Sequence, residues 1–301
     1  MVKRTQPHVD KNVETKNSEV INEDEVRNLT KVSKVLKNIF TCNFNQLPVE
    51  ILQSIWFFPQ GTGHEMLIKC YNFYIDTQKH TFKVNISDSE RKARCVQELE
   101  TVCKSSTTVL IKTIRISFDL FPKVVSKIPD IKIVHLVRDP RAILHSRKEI
   151  GHLDYRPIKR LSRMLCTKMR ENIHNYNKLK QGNRFFIKFE CLAAYPHIIT
   201  KTLYSNLSLK YTNQTDIWLT SHTRGNSTSF EKKYEAHVGD SLMLSLKWIF
   251  RMPKTVLKWI DRECEDVYTN LKVSDSPRLL QQYQYMNNFN IAKFYNNMCY
   301  E

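Results

Sequence analysis

Short apolar runs in the middle of the chain have the composition of buried strands. Residues 107–114 (TTVLIKTI) and 131–137 (IKIVHLV) are rich in β-branched side chains, and residues 183–189 (NRFFIKF) predict a third strand. Residues 160–179 space their apolar side chains as an amphipathic helix does. Strands that are separated by helices predict a parallel sheet flanked by helices, the α/β class.

The pattern also predicts elements on either side of this centre. Residues 31–60 have helix-like spacing, residues 80–87 suit a strand, and residues 90–104 suit a helix. Residues 117–128 predict a short helix interrupted by Pro122, and residues 242–271 predict a helical segment that breaks near Pro253.

The domain organisation follows from where this patterning begins and ends. Residues 1–30 are polar and mixed in charge, which predicts a disordered arm. We expect one domain over residues 31–275 and a C-terminal tail over residues 276–301.

The segment after the strand at 131–137 is the best candidate for a ligand site. Arg138 follows the strand, where open α/β sheets bind their ligands. Pro140 is placed to begin a helix and Gly151 to end it, and a helix N-terminus favours phosphate. Ser146 lies about two helical turns along. An arginine fork and a hydroxyl group could therefore converge on one phosphate.

A second interpretation of this segment needs no ligand. Arg138 and Asp139 would form a local ion pair at a turn. Arg141, Arg147 and Lys148 would be solvated charges on a helix, since basic helix faces are common.

The net charge is +17, because 47 Lys and Arg residues face 30 Asp and Glu residues. A surface this basic attracts polyanions such as nucleic acid, anionic glycans, anionic membranes or nucleotides, or it is simply a solvated basic surface. No helix-turn-helix, zinc-finger or RNA-binding signature is present in the sequence, so nucleic acid is not the expected partner.

The sequons favour a secretory-pathway lumen and the even number of cysteines permits disulfides, whereas the hydropathy shows no route into that compartment. The eight cysteines include no C-x-x-C pair, so no zinc or other metal site is predicted, and Cys95 and Cys103 are close enough in sequence to pair. No apolar run is long enough to span a membrane, and residues 1–20 contain no signal-like apolar region. Five Asn-x-Ser/Thr sequons are present, at Asn28, Asn85, Asn206, Asn213 and Asn226.

Residues 134–147 resemble a known motif. Leu-Val-Arg-Asp-Pro-Arg-Ala followed by Ser-Arg is similar to the 3′-phosphate-binding motif of the Golgi carbohydrate 6-O-sulfotransferases. Other segments follow in that family's order, and the resemblance covers roughly residues 35–275. They are Lys112-Thr113-Ile114-Arg115, then Ile187-Lys188-Phe189-Glu190-Cys191-Leu192, then Ser221-His222-Thr223, and finally Lys247-Trp248 with Arg251.

The resemblance implies a P-loop-like sulfotransferase fold and sulfate transfer from 3′-phosphoadenosine 5′-phosphosulfate. The acceptor would be the 6-hydroxyl of a glycan sugar such as N-acetylglucosamine or galactose, in a glycosaminoglycan or related chain, within the Golgi lumen. Arg138 and Ser146 would bind the 3′-phosphate of the donor. The family's Arg-x-Ser element is replaced by Gly239-Asp240-Ser241, so Ser241 is retained as a nucleotide ligand and the arginine is not.

The chain departs from the family pattern at its start. A first strand and a 5′-phosphosulfate loop are expected there, and only Gln60-Gly61-Thr62-Gly63 follows an apolar run, without a basic residue. We therefore expect that the first strand and this loop are missing, as in an N-terminally truncated chain. The alternative function is a catalytically impaired relative that binds only the nucleotide 3′-phosphate or an anionic glycan.

No catalytic residue is assigned from the sequence. The family's base would lie close to the absent loop. His135 is expected to be buried in its strand, and His222 is expected at the surface as a candidate for polar contact. Neither is assigned a catalytic role, because a lone histidine is usually structural.

Overall fold

The computed structural model describes residues 29–48, 51, 73–76, 81–84, 89–114, 116, 118–128, 130–151, 155–224, 240–273 and 299. Residues 1–28, residues 60–63 and all of the predicted tail except Cys299 lie outside the described residues. The chain divides into two compact units, Met1–Pro129 and Asp130–Glu301. The expected arm, domain and tail boundaries stay predictions.

The described residues of the first unit are mainly helical. Its elements are α1 (Leu29–Phe40), a 3₁₀ turn (Phe44–Gln46), β1 (Phe73–Asp76), β2 (Thr81–Val84), α2 (Ser89–Ser105), a second 3₁₀ turn (Phe118–Leu120) and α3 (Phe121–Lys127). β1 and β2 pair antiparallel. Pro122 lies in the first turn of α3, so it begins this helix and the expected interruption is wrong.

A disulfide between Cys42 and Cys103 joins the turn after α1 to the end of α2. The expected pairing of Cys95 with Cys103 is wrong. α2 is continuous over both positions, and eight residues of α-helix rise by about 12 Å, beyond the reach of a disulfide. Cys95 is also disulfide-bonded.

The strand expected at residues 107–114 is absent from the structure. These residues are described, and none of them is in a helix or strand. The side chain of Leu110 is 89% exposed and that of Ile114 is 61% exposed. A β-branched composition expresses a preference for a pleated surface, and this segment has no neighbouring strand among the described residues to pair with.

The second unit confirms the α/β prediction. Its elements are β3 (Ile133–Val137), α4 (Pro140–Glu149), α5 (Ile158–Asn177), β4 (Arg184–Lys188), α6 (Phe189–Ala194), α7 (Pro196–Asn206), α8 (Asn213–Thr223), α9 (Ser241–Arg251) and α10 (Lys254–Leu271). β3 and β4 pair in parallel, with Ile133 opposite Arg184 and Val137 opposite Lys188. The strands at 131–137 and 183–189, the helix at 160–179 and the break near Pro253 are thereby confirmed.

Only one face of β3 is buried. Ile133 and Val137 are buried, and Val137 belongs to the main core of the unit. Val134 and Leu136 point the other way and are 39% and 52% exposed. The prediction of a buried strand is therefore confirmed on one face only.

Two parallel helices, α5 and α10, supply much of the hydrophobic core of the second unit. Cross-helix partners advance together along both helices, which sets their parallel direction. The partners are Lys159 with Trp259, Arg163 with Glu263, Cys166 with Cys264 in a disulfide, and Arg170 with Asp266. No helix among the described ranges is long and apolar enough to cross a membrane.

Arg141 lies at the centre of this unit with a fully buried side chain. Its Nε and Nη2 donate to Oδ1 and Oδ2 of Asp139 at 2.9 and 2.6 Å, and Nη1 lies 3.4 Å from Oδ1 of Asp261. The guanidinium also lies 4.8 Å from the ring centroid of Trp248 and 4.4 Å from that of Tyr268. The interpretation of Arg141 as a solvated helix charge is wrong.

Arg141→Met should lower the free energy of unfolding by roughly 3–5 kcal/mol, because Asp139 would stay buried without its ionic partner. Urea unfolding followed by tryptophan fluorescence measures this loss. The matched control is Arg163→Met, whose guanidinium is exposed and pairs with Glu263, and which should change stability little. Equal stability of the two variants would contradict the role given to Arg141.

Candidate functional site

The turn between β3 and α4 is held by two carboxylates. Asp139 is the N-cap of α4, and its Oδ1 accepts a hydrogen bond from Arg141 N at 2.8 Å. Asp139 N donates to Oε1 of Glu190 at 3.0 Å, and Glu190 follows β4 in the first turn of α6. The chain's own carboxylates thus occupy two N–H groups at this helix start, where the sequence had led us to expect a phosphate.

Arg138 is the residue at this turn that remains available to an anion. Its half-buried guanidinium lies 4.5 Å from the ring centroid of Phe189. Nε is buried without a hydrogen-bond partner, and no ion pair involves this guanidinium within the described part of the chain. Burial lowers the pKa of Arg138, and Glu190 and Asp139 partly offset this effect. The alternative interpretation as an Arg138–Asp139 ion pair is wrong, because Asp139 pairs with Arg141.

Ser146 lies in the same strand–turn–helix unit as Arg138. It is seven residues after the N-cap Asp139, which is about two turns along α4 and on the same side of the helix. Its side chain is half-buried. The hydroxyl can donate to a ligand, so a joint role with Arg138 stays a prediction.

Ser241 is engaged with the protein backbone. It is the first residue of α9, and its hydroxyl donates to the carbonyl of Ala193 at 2.7 Å. Ala193 lies in α6, the helix that carries Glu190. An unprotonated phosphate oxygen needs a donor, and the Ser241 proton is already used here. Its assignment as a nucleotide ligand therefore stays a prediction that requires this hydroxyl to reorient.

Both histidines considered from the sequence have aromatic neighbours. His222 is buried, not at the surface as expected, and its ring stacks on Trp218 at 3.9 Å. His135 is half-buried and packs against Tyr176 and Phe186. Burial lowers the pKa of His135 to about 4. Among the described residues, no group of histidine, cysteine and acidic side chains could hold a metal ion.

A basic cluster at the end of α4 was missed by the sequence analysis. We call it the Glu149 cluster: Lys148, Glu149, Lys247 and Arg251. Oε2 of Glu149 lies 3.8 Å from Nζ of Lys247 and 3.6 Å from Nη1 of Arg251. Lys148 lies over the ring of Tyr155, at 5.7 Å. The four-residue spacing of Lys247 and Arg251 on a predicted helix was the available signal, since it places both on one face.

Comparison with known proteins gives consistent family matches. Residues 60–213 match the model described as the sulfotransferase family. Human carbohydrate sulfotransferase 1 is 27% identical over 188 residues, which is 56% of this chain and 46% of that protein. Human carbohydrate sulfotransferase 5 is 29% identical over 189 residues, or 54% of this chain and 45% of that protein. The chain therefore spans about half the length of these curated relatives. No solved structure matches.

Glu190 should make stability depend on pH. Burial and the neighbouring Asp139 carboxylate raise its pKa to about 7 from an ordinary 4.5. The folded chain therefore holds this proton more tightly than the unfolded chain. The contribution of protonated Glu190 to the free energy of unfolding is lost as the pH rises from about 4.5 to 7. Glu190→Gln keeps an acceptor for Asp139 N and removes the titration.

The free energy of unfolding of Glu190→Gln, relative to that of wild type, should rise by on the order of 3 kcal/mol between the low and high ends of that pH window. Urea unfolding at a series of pH values measures the difference. The exposed Glu265→Gln variant is the control and should follow wild type. A wild-type pH profile that is unchanged in Glu190→Gln would contradict this account.

Proposed function

The chain belongs to the sulfotransferase family, and from this we propose that it transfers sulfate from 3′-phosphoadenosine 5′-phosphosulfate to the 6-hydroxyl of a glycan sugar. N-acetylglucosamine and galactose are the proposed sugars, and the Golgi lumen is the proposed site of action. The relatives named carbohydrate sulfotransferase support a glycan acceptor. The observation that carries the proposal is Arg138, a half-buried cation at the carboxyl end of β3 whose Nε has no hydrogen-bond partner.

The residues at this turn fit the nucleotide's phosphate. A guanidinium presents a planar fork of donors that matches phosphate oxygens. Phe189 packs against the Arg138 guanidinium, which limits its orientations before any ligand arrives. Ser146 adds a hydroxyl donor on the helix that begins directly after this turn. Together they supply charge and direction for one phosphate group.

Neighbouring groups keep Arg138 available. Asp139 gives both carboxylate oxygens to Arg141, and Oε1 of Glu190 accepts from Asp139 N. Each nearby carboxylate therefore has another hydrogen-bond donor, and none lies within ion-pair distance of Arg138 in the described residues. The positive charge of Arg138 at this edge of the sheet is therefore available to an anionic ligand.

The transfer itself exchanges the sulfur–oxygen bond of the donor for one to the sugar oxygen, with the hydroxyl proton taken by a base. We assign no described residue to that proton transfer. His135 and His222 are not proposed for it, because the rings of both pack against aromatic side chains.

Arg138→Ala should weaken binding of 3′-phosphoadenosine 5′-phosphate by roughly 2–5 kcal/mol, since a phosphate would lose its charged partner. Titration calorimetry of the folded chain measures the dissociation constant. Arg160→Ala removes an exposed arginine on α5 and serves as the matched control, with unchanged affinity expected. Unchanged affinity in Arg138→Ala would contradict the phosphate role of this turn.

A second candidate function is binding of an anionic glycan without catalysis. The Glu149 cluster favours it, because Lys247 and Arg251 share one carboxylate at the surface and a third cation, Lys148, lies next to that carboxylate in sequence. Lys148 and Arg251 are exposed, and Glu149 itself is 40% exposed in its side chain. A sulfate or carboxylate group of a glycan could take the place of the Glu149 carboxylate between Lys247 and Arg251.

Two substitutions that should change glycan affinity in opposite directions test this cluster. Glu149→Gln should strengthen binding of a size-defined heparin oligosaccharide by about two- to fivefold, because the competing carboxylate is lost, and Lys247→Gln should weaken it by a similar factor. The dissociation constants are measured at low and moderate salt. Glu263→Gln makes the same change in net charge beside Arg163 and should leave the affinity unchanged.

If Glu149→Gln and Glu263→Gln strengthened binding equally, general charge and not this cluster would be responsible. Transfer of labelled sulfate from the donor to an acceptor glycan separates the enzyme from the non-catalytic binder.

A further inference from the structure

The connection between α7 and α8 presents two asparagines to solvent. Asn206 is the last residue of α7 and Asn213 is the first residue of α8. Both are exposed. Each begins an acceptor sequence for N-linked glycans, Asn206-Leu207-Ser208 and Asn213-Gln214-Thr215.

The protein holds this connection in a fixed conformation. Oδ1 of Asp216 accepts a hydrogen bond from the Tyr211 hydroxyl at 2.8 Å and lies 2.9 Å from Nδ1 of His197. The Tyr211 ring packs edge-on against Tyr204, 5.7 Å between centroids. Because these contacts join α7 to α8, both asparagines are fixed at the surface of the second unit.

The two asparagines differ from four others in the described structure. Nδ2 of Asn38 donates to a main-chain carbonyl, as does Nδ2 of Asn270. Oδ1 of Asn175 and Oδ1 of Asn177 accept from Lys178 and Arg184. Within the described residues, no such bond engages the side-chain amide of Asn206 or Asn213, so a substituent on either nitrogen would break no contact of the fold.

The cysteines give an independent indication of the compartment. Disulfides join Cys42 to Cys103, Cys166 to Cys264 and Cys191 to Cys299, and no described cysteine is free. Disulfides of this kind form in the oxidising lumen of the secretory pathway, where asparagine-linked glycans are also attached.

We propose that Asn206 and Asn213 both carry N-linked glycans. Nδ2 of each asparagine forms a bond to C1 of an oligosaccharide supplied as a lipid diphosphate. The C1–O bond to the diphosphate breaks, the diphosphate leaves with the electron pair, and the amide loses one proton. This modification goes beyond the proposed sulfate transfer and does not depend on it.

A glycan at Asn213 also accounts for an exposed apolar side chain. Ile217 lies one helical turn further along α8 and is 60% exposed. Residues four apart are neighbours on a helix surface, so the first sugars on Asn213 would cover Ile217.

Peptide mass spectrometry tests the two sites separately. Cleavage after Lys201, Lys210 and Arg224 places Asn206 in peptide 202–210 and Asn213 in peptide 211–224. The full chain is secreted from eukaryotic cells by way of a cleavable signal peptide and treated with peptide N-glycosidase in heavy-oxygen water. We expect both asparagines to be recovered as labelled aspartate. Peptide 202–210 with unmodified asparagine overturns the assignment at Asn206, and unmodified 211–224 overturns that at Asn213.

Electrophoretic mobility provides the second measurement. Asn206→Gln and Ser208→Ala should each remove the mobility shift of one glycan, the one on Asn206. Asn213→Gln and Thr215→Ala should each remove the shift of the glycan on Asn213. Asn177→Gln changes an exposed asparagine outside any acceptor sequence and should leave mobility unchanged. A mobility shift that survives both variants of one sequon would overturn that site, and the wild-type peptide measurement holds even if a variant fails to fold.

Discussion

The buried Arg141 guanidinium is the interaction on which the second unit depends. A cation with no exposed surface needs carboxylates and aromatic faces on every side, and these come from distant parts of the sequence. Asp139 lies two residues before it, Trp248 lies in α9, and Asp261 and Tyr268 lie in α10. One side chain therefore fixes the start of α4 against the two late helices, and through Asp139 it fixes the end of β3.

This arrangement explains why two nearly adjacent arginines have opposite roles. The two oxygens of Asp139 are both engaged by Arg141, so Asp139 has no oxygen left for Arg138. Glu190 accepts from Asp139 N and completes the turn. Arg138 is thus left half-buried against Phe189 with donors to spare. The reach of a single carboxylate thus ties Arg141 into the fold and leaves Arg138 available for the proposed phosphate.

The sequence predicted those parts of the fold that local pattern controls. β3, α4, α5, β4 and the break at Pro253 follow from composition, helical spacing and proline position. The segment 107–114 has the same strand-like composition as β3 and forms no strand, because strand formation depends on a neighbour that pattern cannot supply. Arg138 and Ser146 could be named as candidates from the strand–turn–helix pattern, and their binding role stays a prediction. The burial of Arg141 was not, because Asp261 is 120 residues away in sequence.

The net charge of +17 does not by itself locate a ligand, since many cations are already paired. Arg163 and Arg170 pair with acids of α10, and Arg141 is neutralised inside the core. An anionic ligand is expected where a cation has no carboxylate partner, or where two cations share one carboxylate. Arg138 precedes the N-cap residue of α4, and the Glu149 cluster includes the last residue of that helix, so such places occur near both of its ends. Ten residues of α-helix span about 15 Å. If Arg138 binds the donor's phosphate, an acidic group on the acceptor could be held about that far away by the same rigid element, with Ser146 between them.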